Sequence, residues 1–372
     1  MVKPKGASME HALLVVGDSL RRNPLTLNYI ERTYSTHFSQ TSTTYFLSKN
    51  DTKLFMILEN LMHEYSTLTI AASQESFPLV GKILSTLTQD SLVLQEGTLS
   101  PSKSIEVSKG SYLLHFNECH INVLEVLHGK TLPALLTPLE NPKTTFSLIG
   151  LDEDSCRILL EPLAQTFEIS LHVAPLVEGW ITIDARAQKY GQIEHFIKSA
   201  SALFGDKLLH AAQPVAHIVA QLLAHEKRIT CAESCTGGLI ASLLTKIPGA
   251  SGCLFGTLVT YANPIKRAWL GVEAETLKTR GAVSEECVRE MLQGALKSAR
   301  ADIALATSGI AGPDGGSAQK PVGTVFVGVA TKEGLCVIER LLLQGDREHI
   351  QYQSAYHAFR LLLQTHKGLF FT

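Results

Sequence analysis

The chain has 372 residues, 45% of them hydrophobic and 18% charged, which suits two or three globular domains and excludes a disordered or low-complexity protein. Lysine and arginine number 33 against 35 acidic residues. No basic field is present to gather a phosphate backbone, so nucleic acid is not an expected partner.

In chain order, an apolar strand at His11 to Val16 runs into Gly17-Asp18-Ser19-Leu20 and a helix from about Thr26 to Tyr34. A helix near Asp51 to Tyr65, a strand at Leu68 to Ala72 and a helix near Phe77 to Leu87 continue a βα repeat, the pattern of a layered α/β domain. Three prolines between Pro133 and Pro142 mark a linker. Beyond them, a strand at Thr144 to Leu148, a helix near Glu153 to Phe167, strands at Ile169 to Val173 and Trp180 to Ala185, and a helix near Gln192 to Leu203 form a small α+β unit. A third domain opens at Pro214, a good first helical residue, with Val215, Ile218, Val219 and Leu222 on one face. It continues as strand Arg228 to Ala232, a helix from Thr236, strand Gly256 to Tyr261, helices near Pro264 and Ser284, strand Ile303 to Thr307, a glycine loop, two strands and a last helix.

The fourteen histidines are scattered and form no cluster with metal-ligand spacing, so neither a metal nor another cofactor is expected. Seven widely spaced cysteines suit reduced thiols. Met1 to Ser8 is not followed by a signal-peptide core, and no segment is apolar for the ~18 residues of a membrane span. A cytoplasmic protein without a membrane partner is expected.

Three segments of the last domain carry chemistry. In Ala232-Glu233-Ser234-Cys235-Thr236-Gly237-Gly238 a strand gives way to a helix, and a serine at that turn can use helix N-terminal amides to hold an oxyanion. Alone, this pattern reads more simply as a helix cap. Thr260-Tyr261-Ala262-Asn263-Pro264-Ile265-Lys266 again leads from strand to helix, and a desolvated lysine there has the lowered proton affinity of a general base for Ser234. Ser308-Gly309-Ile310-Ala311-Gly312-Pro313-Asp314-Gly315-Gly316 is dense enough in glycine for successive amides to converge on an anion. All three lie at strand ends of one α/β domain, where ligands of such sheets bind.

These runs, with Gly281-Ala282-Val283-Ser284 and Gly345-Asp346-Arg347, resemble the C-terminal domain of the CinA family, a nicotinamide-nucleotide amidohydrolase. The resemblance implies that Ser234 attacks the carboxamide of nicotinamide mononucleotide, with Lys266 as base and Tyr261 positioning it or relaying the proton. Cys235, Thr236, Gly237 and Gly238 would hold the oxyanion. Ser308, Gly309, Ile310, Ala311, Gly312 and Arg347 would bind the substrate, Arg347 through its phosphate.

The same resemblance implies three domains and a homodimer: a three-layer α/β molybdopterin-binding-like domain over 9–142, an α+β KH-like domain over 143–208 and a three-layer α/β amidase domain over 209–372. The first departs from the family pattern. Ser19 stands where the family has an acid, and Ala71-Ala72-Ser73-Gln74-Glu75-Ser76-Phe77-Pro78 replaces its glycine loop and aspartate pair. Without those glycines and acids, the family's ADP-ribose pyrophosphatase activity is not expected here. The middle unit lacks the Gly-x-x-Gly loop of a nucleic-acid-binding KH domain. Two readings stand beside the amidase: a non-catalytic nucleotide-binding or assembly protein, and a metal-dependent pyrophosphatase acting through the first domain.

Overall fold

The computed structural model describes residues 11–38, 43–136, 142–188 and 190–371. It divides into two compact units, Met1–Glu140 and Asn141–Thr372. The part of the expected proline linker at 137–141 lies outside the described residues.

In the first unit, strand β1 (His11–Val16) is followed by helices α1 (Asp18–Arg21) and α2 (Pro24–His37), then β2 (Thr43–Leu47), α3 (Leu54–Glu64), β3 (Thr67–Ser73) and α4 (Phe77–Leu87). Five strands complete it: β4 (Leu92–Gln95), β5 (Thr98–Pro101), β6 (Glu106–Ser108), β7 (Ser111–Phe116) and β8 (Cys119–Val126). The main sheet has the order β2-β1-β3-β8-β7-β6. Its first four strands are parallel and its last two antiparallel. The βα repeat therefore holds only as far as α4. Alternation along β1 serves two layers: Ala12, Leu14 and Val16 pack with α3 and α4, whereas Leu13 and Val15 pack with Ile30, Tyr34 and Phe38. At the carboxyl ends of β1 and β3, Ser73 and Ser76 hydroxyls bond each other at 2.8 Å, Asp18 accepts from Ser48 at 2.7 Å, and Lys49 pairs with Glu75.

The second unit begins with β9 (Lys143–Ile149), α5 (Glu153–Thr166), β10 (Ile169–Val177), β11 (Trp180–Ala187), α6 (Ile193–Phe204) and the short β12 (Leu208–Leu209). This antiparallel sheet, ordered β10-β11-β9-β12, packs against α5 and α6 through Phe146, Leu160, Ile183 and Phe196.

After these come α7 (Pro214–Ala224), β13 (Ile229–Glu233), α8 (Leu239–Thr245), β14 (Leu254–Val259), α9 (Asn263–Leu270), α10 (Ala274–Thr279) and α11 (Glu285–Ala299). The chain ends with β15 (Ile303–Gly309), β16 (Thr324–Thr331), β17 (Cys336–Leu342), α12 (Arg347–Thr365) and α13 (Lys367–Phe370). The sheet order is β14-β13-β15-β16-β17, parallel across its first three strands and antiparallel beyond. Cys231 and Leu305 face the layer of α7, α8 and α12. Ala232, Ala304 and Ala306 face α9 and α11 on the other side. Small residues on that second face let α11 lie close to the sheet. The middle sheet belongs to the same compact unit, and Trp180 on β11, fully buried, meets Tyr356 on α12 edge-on with ring centroids 5.9 Å apart.

Helices α9 and α11 approach so closely that a Cβ on Gly294 would sit 2.0 Å from the Leu270 carbonyl oxygen. Alanine normally favours a helix interior by about 1 kcal/mol over glycine. At this crossing the overlap outweighs that gain, so Gly294→Ala is expected to destabilise the unit by about 1–3 kcal/mol. A thermal melt reads this as a lower Tm, and an unchanged or higher Tm would show that the helices separate freely.

Candidate active site

Strand β13 delivers the nucleophile turn. Ser234 N–H donates to Thr307 O at 3.0 Å and Gly237 N–H to Ser234 O at 3.1 Å. Gly237 and Gly238 then take φ of 61° and 99°, values that side-chain-bearing residues rarely adopt. The helix accordingly starts at Leu239 rather than Thr236. Ser234 is 8% exposed, at the rim of the core rather than inside it.

Lys266, in the first turn of α9, reaches back to this serine. Its Nζ lies 2.8 Å from Ser234 Oγ and donates to the main-chain oxygens of Thr260 at 2.5 Å and Tyr261 at 3.1 Å. The side chain is 1% exposed, and no carboxylate pairs with it among the described residues. Burial therefore pushes the ammonium's pKa below the ordinary lysine value, against a smaller opposing influence from the Cys287 and Cys235 thiols. The expected pairing of Ser234 with Lys266 is thus in contact geometry. Cys235, beside the serine, is a poor rival nucleophile because burial pushes its thiol up to about 12.

Glu233, which the sequence reading passed over, organises the turn. It is fully buried, and its carboxylate accepts from Thr236 Oγ1 at 2.7 Å, Gly238 N at 3.0 Å, Ile240 N at 3.1 Å and Ala241 N at 2.9 Å. The free amides of a helix start are satisfied by an acid from the preceding strand. Thr236 Oγ1 also lies 2.7 Å from Thr307 Oγ1, tying the turn to β15. This corrects the expectation that every amide from Cys235 to Gly238 awaits a ligand. Those of Gly237 and Gly238 are engaged, which leaves Cys235 and Thr236 N–H without a protein acceptor among the described residues.

The other expected residues divide. Tyr261 is 61% exposed, and its hydroxyl accepts from Arg347 Nη2 at 2.8 Å. Its main-chain oxygen, not its phenol, is what touches Lys266. Arg347 also donates through Nη1 to Gly312 O at 2.7 Å, so it joins the glycine loop to Tyr261, the second residue past β14. Ser308 Oγ is buried and donates to Ala282 O at 2.8 Å; a structural bond occupies the hydroxyl expected to touch substrate. Gly309 extends β15 opposite Val325. Ile310 spends its N–H on Thr324 O and its carbonyl on Gly323 N, and Ala311 is buried. The early part of this loop is therefore ladder and core, not a row of free amides. Gln351, not anticipated from the sequence, donates from α12 to Cys235 O at 2.7 Å.

A buried serine and lysine at the carboxyl edge of a parallel strand pair define an α/β protein with a preassembled Ser-Lys dyad. Residues 211–366 match the family model described as the CinA C-terminal domain. The nicotinamide-nucleotide amidohydrolase PncC of Enterobacter agglomerans is 47% identical over 159 residues, which span 43% of this chain and 96% of that protein. The PncC of Escherichia coli K12 is 48% identical over 143 residues, 38% of this chain and 87% of that one. A putative competence-damage inducible protein of Caldanaerobacter subterraneus is 38% identical over 231 residues, but the match spans only 55% of its length. Among solved structures, a competence/damage inducible protein from Agrobacterium tumefaciens is 38% identical over 41% of this chain and 94% of that one, with a TM-score of 0.39. The chain belongs to the CinA family.

Removing the Glu233 carboxylate strands three amides and a hydroxyl in the core. Glu233→Ala is expected to cost about 2–5 kcal/mol of stability, with Glu233→Gln costing less because its amide oxygen still accepts. Urea unfolding of the two variants checks the order; equal stability of Glu233→Ala and the parent would show that water replaces the carboxylate.

Proposed function

We propose that the second unit hydrolyses the carboxamide of nicotinamide mononucleotide to nicotinate mononucleotide and ammonia, a pyridine-nucleotide salvage reaction, with Ser234 as nucleophile and Lys266 as base. The observation that carries the reading is the 2.8 Å separation of Lys266 Nζ from Ser234 Oγ, with two main-chain oxygens at the amine's other positions. A neutral amine has two N–H donors and one lone pair. If Thr260 O and Tyr261 O take the hydrogens, the lone pair faces the serine hydroxyl, as a base requires. Relatives named nicotinamide-nucleotide amidohydrolase, matched over nearly their whole length, support the substrate.

Attack forms the bond from Ser234 Oγ to the carboxamide carbon while Lys266 takes the hydroxyl proton. The N–H groups of Cys235 and Thr236 stabilise the oxyanion. Collapse breaks the bond from carbon to nitrogen, and the proton on Lys266 leaves with ammonia. Water, deprotonated by the same amine, then cleaves the ester and restores Ser234. Arg347, held by Gly312 and Tyr261, binds the phosphate. Tyr261 acts through Arg347 rather than in the proton transfer.

Ammonia release from nicotinamide mononucleotide is expected from the parent protein and to fall by about 10⁴-fold or more in Ser234→Ala; retained release in the folded variant would remove the nucleophile assignment. The base must be unprotonated. Activity therefore rises with pH through a pKa below the ordinary lysine value, because burial lowers that of Lys266. A rate that fell with rising pH over this range would contradict a lysine base.

The first unit is proposed to be a non-catalytic scaffold. Its strand ends are filled by mutual bonds among Ser73, Ser76, Asp18 and Ser48, and by the pair of Lys49 with Glu75. Full-length protein given ADP-ribose and a divalent cation is expected to release no AMP, and metal-dependent turnover would restore the pyrophosphatase reading.

A further inference from the structure

A trans peptide points its C=O and N–H in opposite directions, so whatever holds the carbonyl also aims the amide. Among the described residues the only cis bond is Gly312 to Pro313, so both peptides after Ser234 are trans. The first, Ser234 to Cys235, has its carbonyl held inside the turn by Gly237 N–H at 3.1 Å. The second, Cys235 to Thr236, has its carbonyl held from outside, by Gln351 Nε2 at 2.7 Å. The amides at the far side of these two peptides, Cys235 N–H and Thr236 N–H, are the pair without protein acceptors.

We infer that Gln351 is a positioning residue for oxyanion binding: by fixing the Cys235 carbonyl it aims the Thr236 amide at the reacting oxygen. The inference rests on the amidase reading and adds to it the group that preorganises its electrophilic site. The turn needs such an anchor because two glycines with left-handed φ follow it, and glycine backbone rotates freely. The anchor is itself rigid. Gln351 is half-buried in the second turn of α12, one turn beyond Arg347. Further along that helix Tyr356 meets Trp180 and Arg360 pairs with Glu339. One helix thus sends Arg347 to the glycine loop and Gln351 to the nucleophile turn.

The test uses full-length Gln351→Met and Gln351→Glu, which keep the side chain's length but cannot donate to a carbonyl at neutral pH. In each, kcat for ammonia release is expected to fall about 10- to 100-fold, with KM within about twofold; loss of a whole oxyanion donor costs up to 10³-fold. The pH limb assigned to Lys266 is expected to stay in place in Gln351→Met and to move up in Gln351→Glu, whose carboxylate favours the ammonium. A kcat within twofold of the parent in both folded variants overturns the inference. So does a loss confined to KM, or a displaced pH limb with an unchanged plateau. A crystal structure of Gln351→Met gives a reading that needs no substrate: the peptide between Cys235 and Thr236 is expected to be rotated or split between two orientations, and a single parental orientation overturns the claim. If the parent releases no ammonia, the amidase reading fails, and the crystal structure alone decides the orientation.

Discussion

An amine can stay in a protein interior without a counter-ion only when its hydrogens find acceptors and its proton is easily surrendered. Lys266 meets both conditions at one point in the fold. The register that sets Glu233 beside Val259 lets Thr260 N–H reach Glu233 O at 2.8 Å, which anchors the chain just past β14. The next two carbonyls then turn toward the lysine that α9 returns. The far end of the same helix is held against α11, where Gly294 admits Leu270 to near contact. Without the two carbonyls, two of the amine's hydrogens would lack acceptors in the interior.

The same economy governs the negative side. A helix N-terminus is a ready site for an anion, and the glycines before α8 invite the view that a reaction intermediate uses it. Glu233 already occupies it. A fixed carboxylate there satisfies the helix end, so the amides left open belong to the two peptides nearer Ser234, Ser234 to Cys235 and Cys235 to Thr236. Their orientation is a matter of hydrogen-bond accounting rather than of the helix dipole.

Much of this was legible in the sequence, and the reasons are local. Pro264 opens α9, Ser284 caps α11 with its side chain on Cys287 N–H, and the helix Phe77–Leu87 has the expected limits, because caps and apolar periods act within a turn or two. The serine and lysine were legible as types at strand ends. What escaped depends on distant chain. Tyr261 lies beyond β14, where no pleat fixes the side chain's direction, and Arg347 settles it from 86 residues away. Ser308 donates to Ala282 across 26 residues, and Gln351 acts across 116. Glu233 did leave a signal: an acid ending an apolar strand, with a glycine-rich turn and a helix directly after it, has little to pair with except that helix's amides. In the first unit no strand was read between Leu87 and Pro133, where β4 to β8 lie; β4, β5 and β6 are only three or four residues long, too short for an alternating pattern to stand out.

Arg347 shows how such ties orient a charge without cancelling it. Both of its recorded partners, Gly312 O and the Tyr261 hydroxyl, are neutral, so they orient the guanidinium without cancelling its charge. Arg360 and Arg157 are spent on Glu339 and Glu153 instead. A guanidinium has five N–H donors, and two neutral acceptors leave the rest for a ligand. The cation is exposed, so water screens it until something covers the loop. Under the proposed amidase reading, a phosphate on Arg347 would supply the missing negative charge, while the dyad at the other end is already buried and needs no cover of its own.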